Sequence, residues 1–317
     1  MTATTADSTG APLPTGEAAA ALGAGTSVWR RIFSQRPAVI GLSILAFLFT
    51  VALLADVITV YDAERSVIGI DPREFARPRA APCIHLLGCP AEQPQHFMGL
   101  DGGVYDEFSR VVFGARVSLL IGFVTVGGAI LIGMFIGAIA GYAGGWVDNV
   151  LMRFMDMLLA FPALLLAIVI VTILGPGLVE AMIAIAVVAI PIYARVMRSS
   201  VLAVRGQDYV VAARALGDGP VSILLRRVIP NSLTPMIVQG TLGIGTAVLE
   251  VAALSFLGLG AQPPIPEWGQ MIGREYNNLQ NAPHLILFPG LALTLTVLGF
   301  NLLGDGLRDA FDPRLAR

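Results

Sequence analysis

Uncharged apolar runs of bilayer length alternate along this chain with polar connections rich in arginine. Residues 37–55 carry no charge and match the ~20 residues that a hydrocarbon core requires, which predicts a first span. The run is too long for the core of a cleavable signal and reads as uncleaved. A polar insert, 61–110, follows. The next uncharged run, 117–147, is longer than one span needs, and Gly141-Tyr-Ala-Gly-Gly145 breaks it, so the second span should end near Gly141. Further spans are predicted at about 157–174, closed by Gly175-Pro176-Gly177, and at about 178–196, 235–258 and 285–303. The pattern is that of an all-α, polytopic membrane protein with six transmembrane helices, whose termini therefore share one side.

Arginine placement orients the bundle. Arg30, Arg31 and Arg36 precede the first span, Arg153 follows the second, and the connection between spans four and five with its flanks holds Arg195, Arg198, Arg205, Arg214, Arg226 and Arg227. Arg308, Arg314 and Arg317 follow the last span, whereas the opposite short loops hold only Arg274. Both termini are therefore expected in the cytoplasm. The long insert carries arginines too, but long loops cross with little regard to charge, and it is expected outside. The resulting division is a disordered tail rich in Ala, Thr and Gly (1–27), an N-terminal span (28–60), an extracytoplasmic loop (61–110), a core transmembrane domain (111–304) and a cytoplasmic C-terminal tail (305–317).

Within the core, the cytoplasmic loop 198–231 resembles a device for gripping a second protein. Asp208 can cap a helix on which Tyr209, Ala212, Ala213 and Leu216 fall at i, i+3, i+4 and i+7, one apolar stripe two turns long. Gly217 stops it. Asp218-Gly219-Pro220 then turns the chain into a second short helix, 221–229, that Pro230 ends. The small residues Ala212, Ala213 and Gly217 suit a groove in another protein; the plainer reading is an ordinary amphipathic loop helix.

Composition narrows the chemistry. The chain of 317 residues is 56% hydrophobic and 13% charged, with a mean hydropathy of +0.76. All 20 basic residues are arginine, which removes a Walker A lysine and a Schiff base from consideration. No nucleophile is paired with a base, so this chain is not expected to be an enzyme. Gly133, Gly137 and Gly141 form a ridge that lets a helix approach closely. Glu250 is the one acid well inside a span and needs a protein neighbour or a wet pathway, since an unpaired carboxylate in lipid costs ~2.5 kcal/mol or more. Asp156 and Glu180 stand near span ends and read as interfacial. No series of buried acids or histidines suggests a proton relay. Cys83, His85, Cys89 and His96 cluster in the outer insert; zinc binding, free thiols and a small Cys83–Cys89 disulfide are all compatible with the spacing, and an oxidising outer face favours the disulfide, with no metal. His284 stands alone at a span edge and has no evident role.

The cytoplasmic loop resembles the EAA loop of bacterial ABC importer permeases, through Ala212, Ala213, Gly217, Ile229 and Pro230. Gly141-Tyr-Ala-Gly-Gly-Trp-Val-Asp148 with Met152-Arg153 and 156–162, Leu254-Ser-Phe-Leu-Gly-Leu-Gly260 with Pro266-Glu-Trp-Gly269, and 301–314 narrow the likeness to the C-type permease of dipeptide, oligopeptide and nickel importers. The likeness spans about 28–314. Two departures stand out: Val211 replaces the motif's leading acid, leaving the helix to Asp208 and its partner, and Leu100, Val104 and Tyr105 depart from the pattern that Gly99, Asp101, Asp106, Ser109 and Arg110 keep.

The resemblance implies a multi-pass subunit of a bacterial plasma membrane that forms half of a pathway for di- or oligopeptides. It implies a B-type permease beside it, two ATPase subunits docked on Tyr209, Ala212, Ala213, Arg214, Leu216 and Gly217, and an extracellular or periplasmic solute-binding protein. ATP and magnesium would belong to the ATPase subunits, with no cofactor in this chain and no nucleic acid partner. ATP-driven closure of the ATPase dimer would move the 209–216 helix as a lever. Nickel or glutathione import by the same architecture is one alternative, and a self-sufficient channel or secondary transporter is one of another class.

Overall fold

The computed structural model describes residues 32–311; the 1–27 tail, Arg30, Arg31 and 312–317 lie outside the described residues. Among the described residues there is no strand, only isolated bridges. Long helices carry the fold: α1 (Arg36–Leu53), α2 (Glu107–Ala143), α3 (Gly145–Leu159), α4 (Ala163–Leu174), α5 (Leu178–Val204), α6 (Asp208–Ala215), α7 (Leu233–Phe256), α8 (Trp268–Glu275) and α9 (His284–Phe311).

Five of these, α1, α2, α5, α7 and α9, are each long and apolar enough to cross a membrane, and α3 with α4 makes a sixth candidate bent by 90°. The third span is therefore not the single helix expected over 157–174. Ala160-Phe161-Pro162 separates its halves, because proline disfavours helical backbone in the residue before it and lacks the amide that would continue the ladder. Helix directions show that the bent pair has to count as one crossing. Gly133 lies against Tyr193 and Ile190, Gly137 against Ala194 and Met197, and Gly141 against Arg198 and Val201. Both numbers rise together, so α2 and α5 are parallel. The chain between them must return across the bundle once, and α4 with its 12 residues is too short to do so alone.

The glycine ridge on α2 is thus a packing seam. A β-carbon at Gly133 would come within 2.9 Å of the Ile190 carbonyl and one at Gly141 within 2.9 Å of the Arg198 carbonyl, so only glycine permits this approach. On the other face of α2, α7 runs antiparallel, with Gly122 against Ile244 and Val248 and Gly240 against Ile130. α9 then pairs with α7 and α1; Gly306 meets Ala38, and Gly41 meets Leu302 and Leu303. The start of α1 and the end of α9 consequently lie at the same end of the bundle. The main core gathers Leu119, Ile121, Val126, Ile185, Met197, Val248, Val251 and Leu254 between α2, α5 and α7.

α2 begins at Glu107, ten residues before the apolar run that marked it. Asp106 caps it, accepting hydrogen bonds from the Ser109 amide at 2.8 Å and hydroxyl at 2.7 Å. Its first turns carry charge because they are buried in protein, not in lipid: Arg110 is 1% exposed and donates to the Ala63 and Pro264 carbonyls. They anchor a cap, at one end of the bundle, made of 61–106 and the segment around α8. The insert has its own small core of Val67, Leu100 and Val104. α9 likewise continues to Phe311, past the end expected at about 303.

Candidate functional site: a membrane cavity and a docking helix

α7 presents Gln239, Gly243, Thr246 and Glu250, spaced by four, three and four residues and hence on one face. That face lines a cavity of about 150 Å³, closed by Val126 of α2, by Leu158, Leu159, Phe161 and Ala163 at the α3–α4 break, and by Ile185, Val188 and Tyr193 of α5. The rest of the lining is apolar, so the few polar groups set its selectivity. Among the described residues no cation pairs with Glu250. Gly243 leaves room for the Tyr193 hydroxyl, which occupies the place of a side chain there. Gly245 makes no such room beside Glu250, since it packs against Val297 and Phe300 of α9. The polar stripe Gln239, Gly243, Thr246 and Glu250 was readable in the sequence, yet Glu250 alone stood out because only a charge breaks a hydropathy profile.

The loop helix α6 spans Asp208–Ala215 and is followed by Gly217 at φ +90°, a left-handed conformation that ends it. Gln207, not Asp208, is its N-cap, and no side chain closes the cap. Asp208 instead lies in the first turn, where a carboxylate meets the positive end of the helix dipole. The stripe divides. Val210 and Ala213 are buried against the chain's own core, while Tyr209, Ala212, Arg214 and Leu216 face outward, Leu216 at 88% exposure. Ala213 therefore packs inward. The second helix starts at Pro220 and passes through a π-helical stretch, Leu224–Val228, into a last turn, Ile229–Asn231, that contains Pro230. A π-bulge accommodates the amide that proline lacks, so Pro230 does not end the helix.

In the cap, Cys83 and Cys89 are bonded, with Cα atoms 5.5 Å apart. His85 is exposed and touches the Gln93 carbonyl. His96 pairs with Cys83 through two backbone hydrogen bonds, but its ring turns away from the disulfide: Nδ1 is 2.7 Å from Asp106 Oδ1, Nε2 is 3.0 Å from Asp71 Oδ2, and the ring packs on Tyr61. Burial pulls its pKa down, but the two carboxylates outweigh that and hold it above the ordinary imidazole value. When the ring is protonated both nitrogens donate, one to each carboxylate. The Tyr61 phenol is pushed up to about 12, by burial first and then by Asp71 and Asp106. Arg79 donates to Glu275 at 2.7 Å, and Asp101 Oδ1 accepts from the Gly103 and Tyr105 amides. Glu267 caps α8 through the Gly269 and Gln270 amides; burial raises its pKa. His284 packs against Gly99. The carboxylates that meet His96 and Arg79 lie 10 to 196 residues away in the chain, which is why spacing alone missed these pairs.

Residues 133–317 match the binding-protein-dependent transport system inner membrane component family, and 25–82 match the N-terminal TM domain of oligopeptide transport permease C. The dipeptide transport system permease protein of Alkalihalophilus pseudofirmus is 45% identical over 293 residues, covering 91% of each chain. The glutathione transport system permease protein of Pectobacterium atrosepticum is 40% identical over 287 residues, 90% of each. In fold, the chain resembles the methionine ABC transporter in an inward-facing conformation, with a TM-score of 0.53 and 22% identity over 65% of this chain and 98% of that one. This protein belongs to the family of binding-protein-dependent transport system inner membrane components.

Proposed function

We propose that the chain is the C-type permease subunit of an ATP-driven importer and forms half of a pathway for di- or oligopeptides. The observation that carries the reading is the cavity between α5, α7 and the α3–α4 break, where Glu250 offers a carboxylate with no cation of its own. A peptide's α-ammonium is the complementary group, and a charge-assisted hydrogen bond in this apolar surround would repay part of its desolvation. A B-type permease would close the open side of the cavity, two ATPase subunits would meet the outward face of α6, and a solute-binding protein would deliver peptide at the outer cap. ATP binding and hydrolysis belong to the ATPase subunits. Glutathione, itself a peptide with a free α-ammonium, is the second reading, and the 40% identical relative favours it over nickel.

Reconstitution with the partner permease, ATPase and binding-protein subunits in proteoliposomes tests this. ATP-dependent uptake of labelled dipeptide is expected. Uptake of glutathione alone would shift the substrate to the second reading, and equal solute flux without the ATPase subunits would overturn the importer assignment.

A further inference from the structure

α3 is weakly held by packing: of its 15 residues only Asp148 and Met155 are buried. Apart from Met152, Met155 and Leu158, which pack on the main core, its hold on the rest of the chain is ionic. Asp148 receives Arg198 through two parallel bonds, Nε at 2.5 Å and Nη2 at 2.6 Å, and Asp156 receives Arg195 Nη2 at 2.5 Å. Both arginines sit on α5 within ten residues of its end at Val204, and only Arg205-Gly206-Gln207 separates that end from α6. Arg205 is itself tied to the Gly141 carbonyl at 2.7 Å. At its start, α3 is set free of α2 by Gly144 and Gly145, at φ +68° and +55°. At its far end, Leu158, Leu159 and Phe161 form a wall of the Glu250 cavity. One helix thus joins the base of the docking loop to the cavity, through two ion pairs and the apolar contact of Met152, Met155 and Leu158 with the main core.

We propose that α3 is a transmission arm and that Asp148–Arg198 and Asp156–Arg195 are its couplings. When α6 moves, α5 carries the arginines, the paired carboxylates drag α3, and Leu159 and Phe161 shift at the cavity wall. Bidentate geometry makes the Asp148 pair resist rotation as well as separation, which a single contact would not do. These four are positioning residues, and they act through the cavity wall. The inference rests on α6 being the ATPase-docking helix.

Charge reversal tests it in the assembled transporter. Asp148→Arg and Arg198→Asp should each leave ATPase recruitment and basal hydrolysis within about two-fold of the unsubstituted complex, while peptide taken up per ATP falls at least ten-fold. The double reversal should recover at least half of that coupling. Normal coupling in both single variants, or a double variant no better than either, overturns the proposal. If a reversal prevents assembly, the isosteric pair Asp148→Asn with Asp156→Asn is measured instead: reduced coupling supports the arm and unchanged coupling overturns it. Recruitment of ATPase subunits by the unsubstituted chain is read first. Its absence would overturn the docking reading and this inference together, whereas intact recruitment with undisturbed coupling overturns the arm alone.

Discussion

At the scale of single residues, two titratable groups carry opposite kinds of work. His96 fastens the 61–106 cap to the capping residue of α2, and its folded pKa lies above the ordinary imidazole value of about 6.5. A group raised in the folded state contributes fully below its unfolded pKa and loses that contribution as pH rises through the folded one. The cap is therefore expected to be tightest below about 6.5 and to loosen as pH rises through the raised value. Amide hydrogen exchange of 61–106 against pH measures this, and His96→Gln should abolish the dependence and speed local exchange by about ten-fold or more, since hydrogen bonds to charged groups contribute ~1.5–3 kcal/mol. Glu250 is a different case. If it pairs with substrate, Glu250→Gln should keep the complex but lower uptake about ten-fold or more, the loss of ~1.4 kcal/mol or more of charged recognition. If it only braces the bundle, Glu250→Leu should impair assembly and Glu250→Gln should be silent; normal uptake in both variants excludes either role.

Among elements, α6 has an inward and an outward face, and substitutions should separate them. Ala212→Trp adds bulk to the exposed face and is expected to reduce ATPase binding by ten-fold or more with the chain itself intact. Ala213→Trp overfills a buried contact and should destabilise the loop by ~1–3 kcal/mol, seen as a lower yield of folded chain. Equal ATPase binding in the Ala212 variant would reject that face as the dock. Gly217→Pro, with φ near −65° imposed on a residue at +90°, should disorder the turn and uncouple transport.

Which elements were legible follows from what hydropathy can see. Residues 37–55, 178–196 and 235–258 announced their helices because lipid demands unbroken apolar sequence. Glu107 and Arg110 hid ten residues of α2, because protein in the cap replaced lipid as their solvent. The 90° break at Phe161-Pro162 was also hidden, since a proline in an apolar run marks a kink without fixing its angle. His96, Asp71 and Asp106 meet only in three dimensions.

For the whole molecule, sidedness is the next measurable property. In a chain with Cys83 and Cys89 replaced, Glu92→Cys should react with a membrane-impermeant maleimide in intact cells, and Asp218→Cys only in inverted vesicles. Labelling of both from one side would contradict the six-crossing path, and reversed labelling would invert the arginine-based orientation. α2 ties the two sides together. Its 37 residues form a helix roughly 55 Å long, nearly twice the ~30 Å hydrocarbon thickness. A rod of that length pivoting by about 5° at its middle carries each tip roughly 2 Å, in opposite directions. One tip bears Asp106 and the latch on His96; the other ends at Gly144, where α3 begins. A lean imposed at one end is consequently felt at the other as a sideways step of the cap, with no side chain between them changing rotamer.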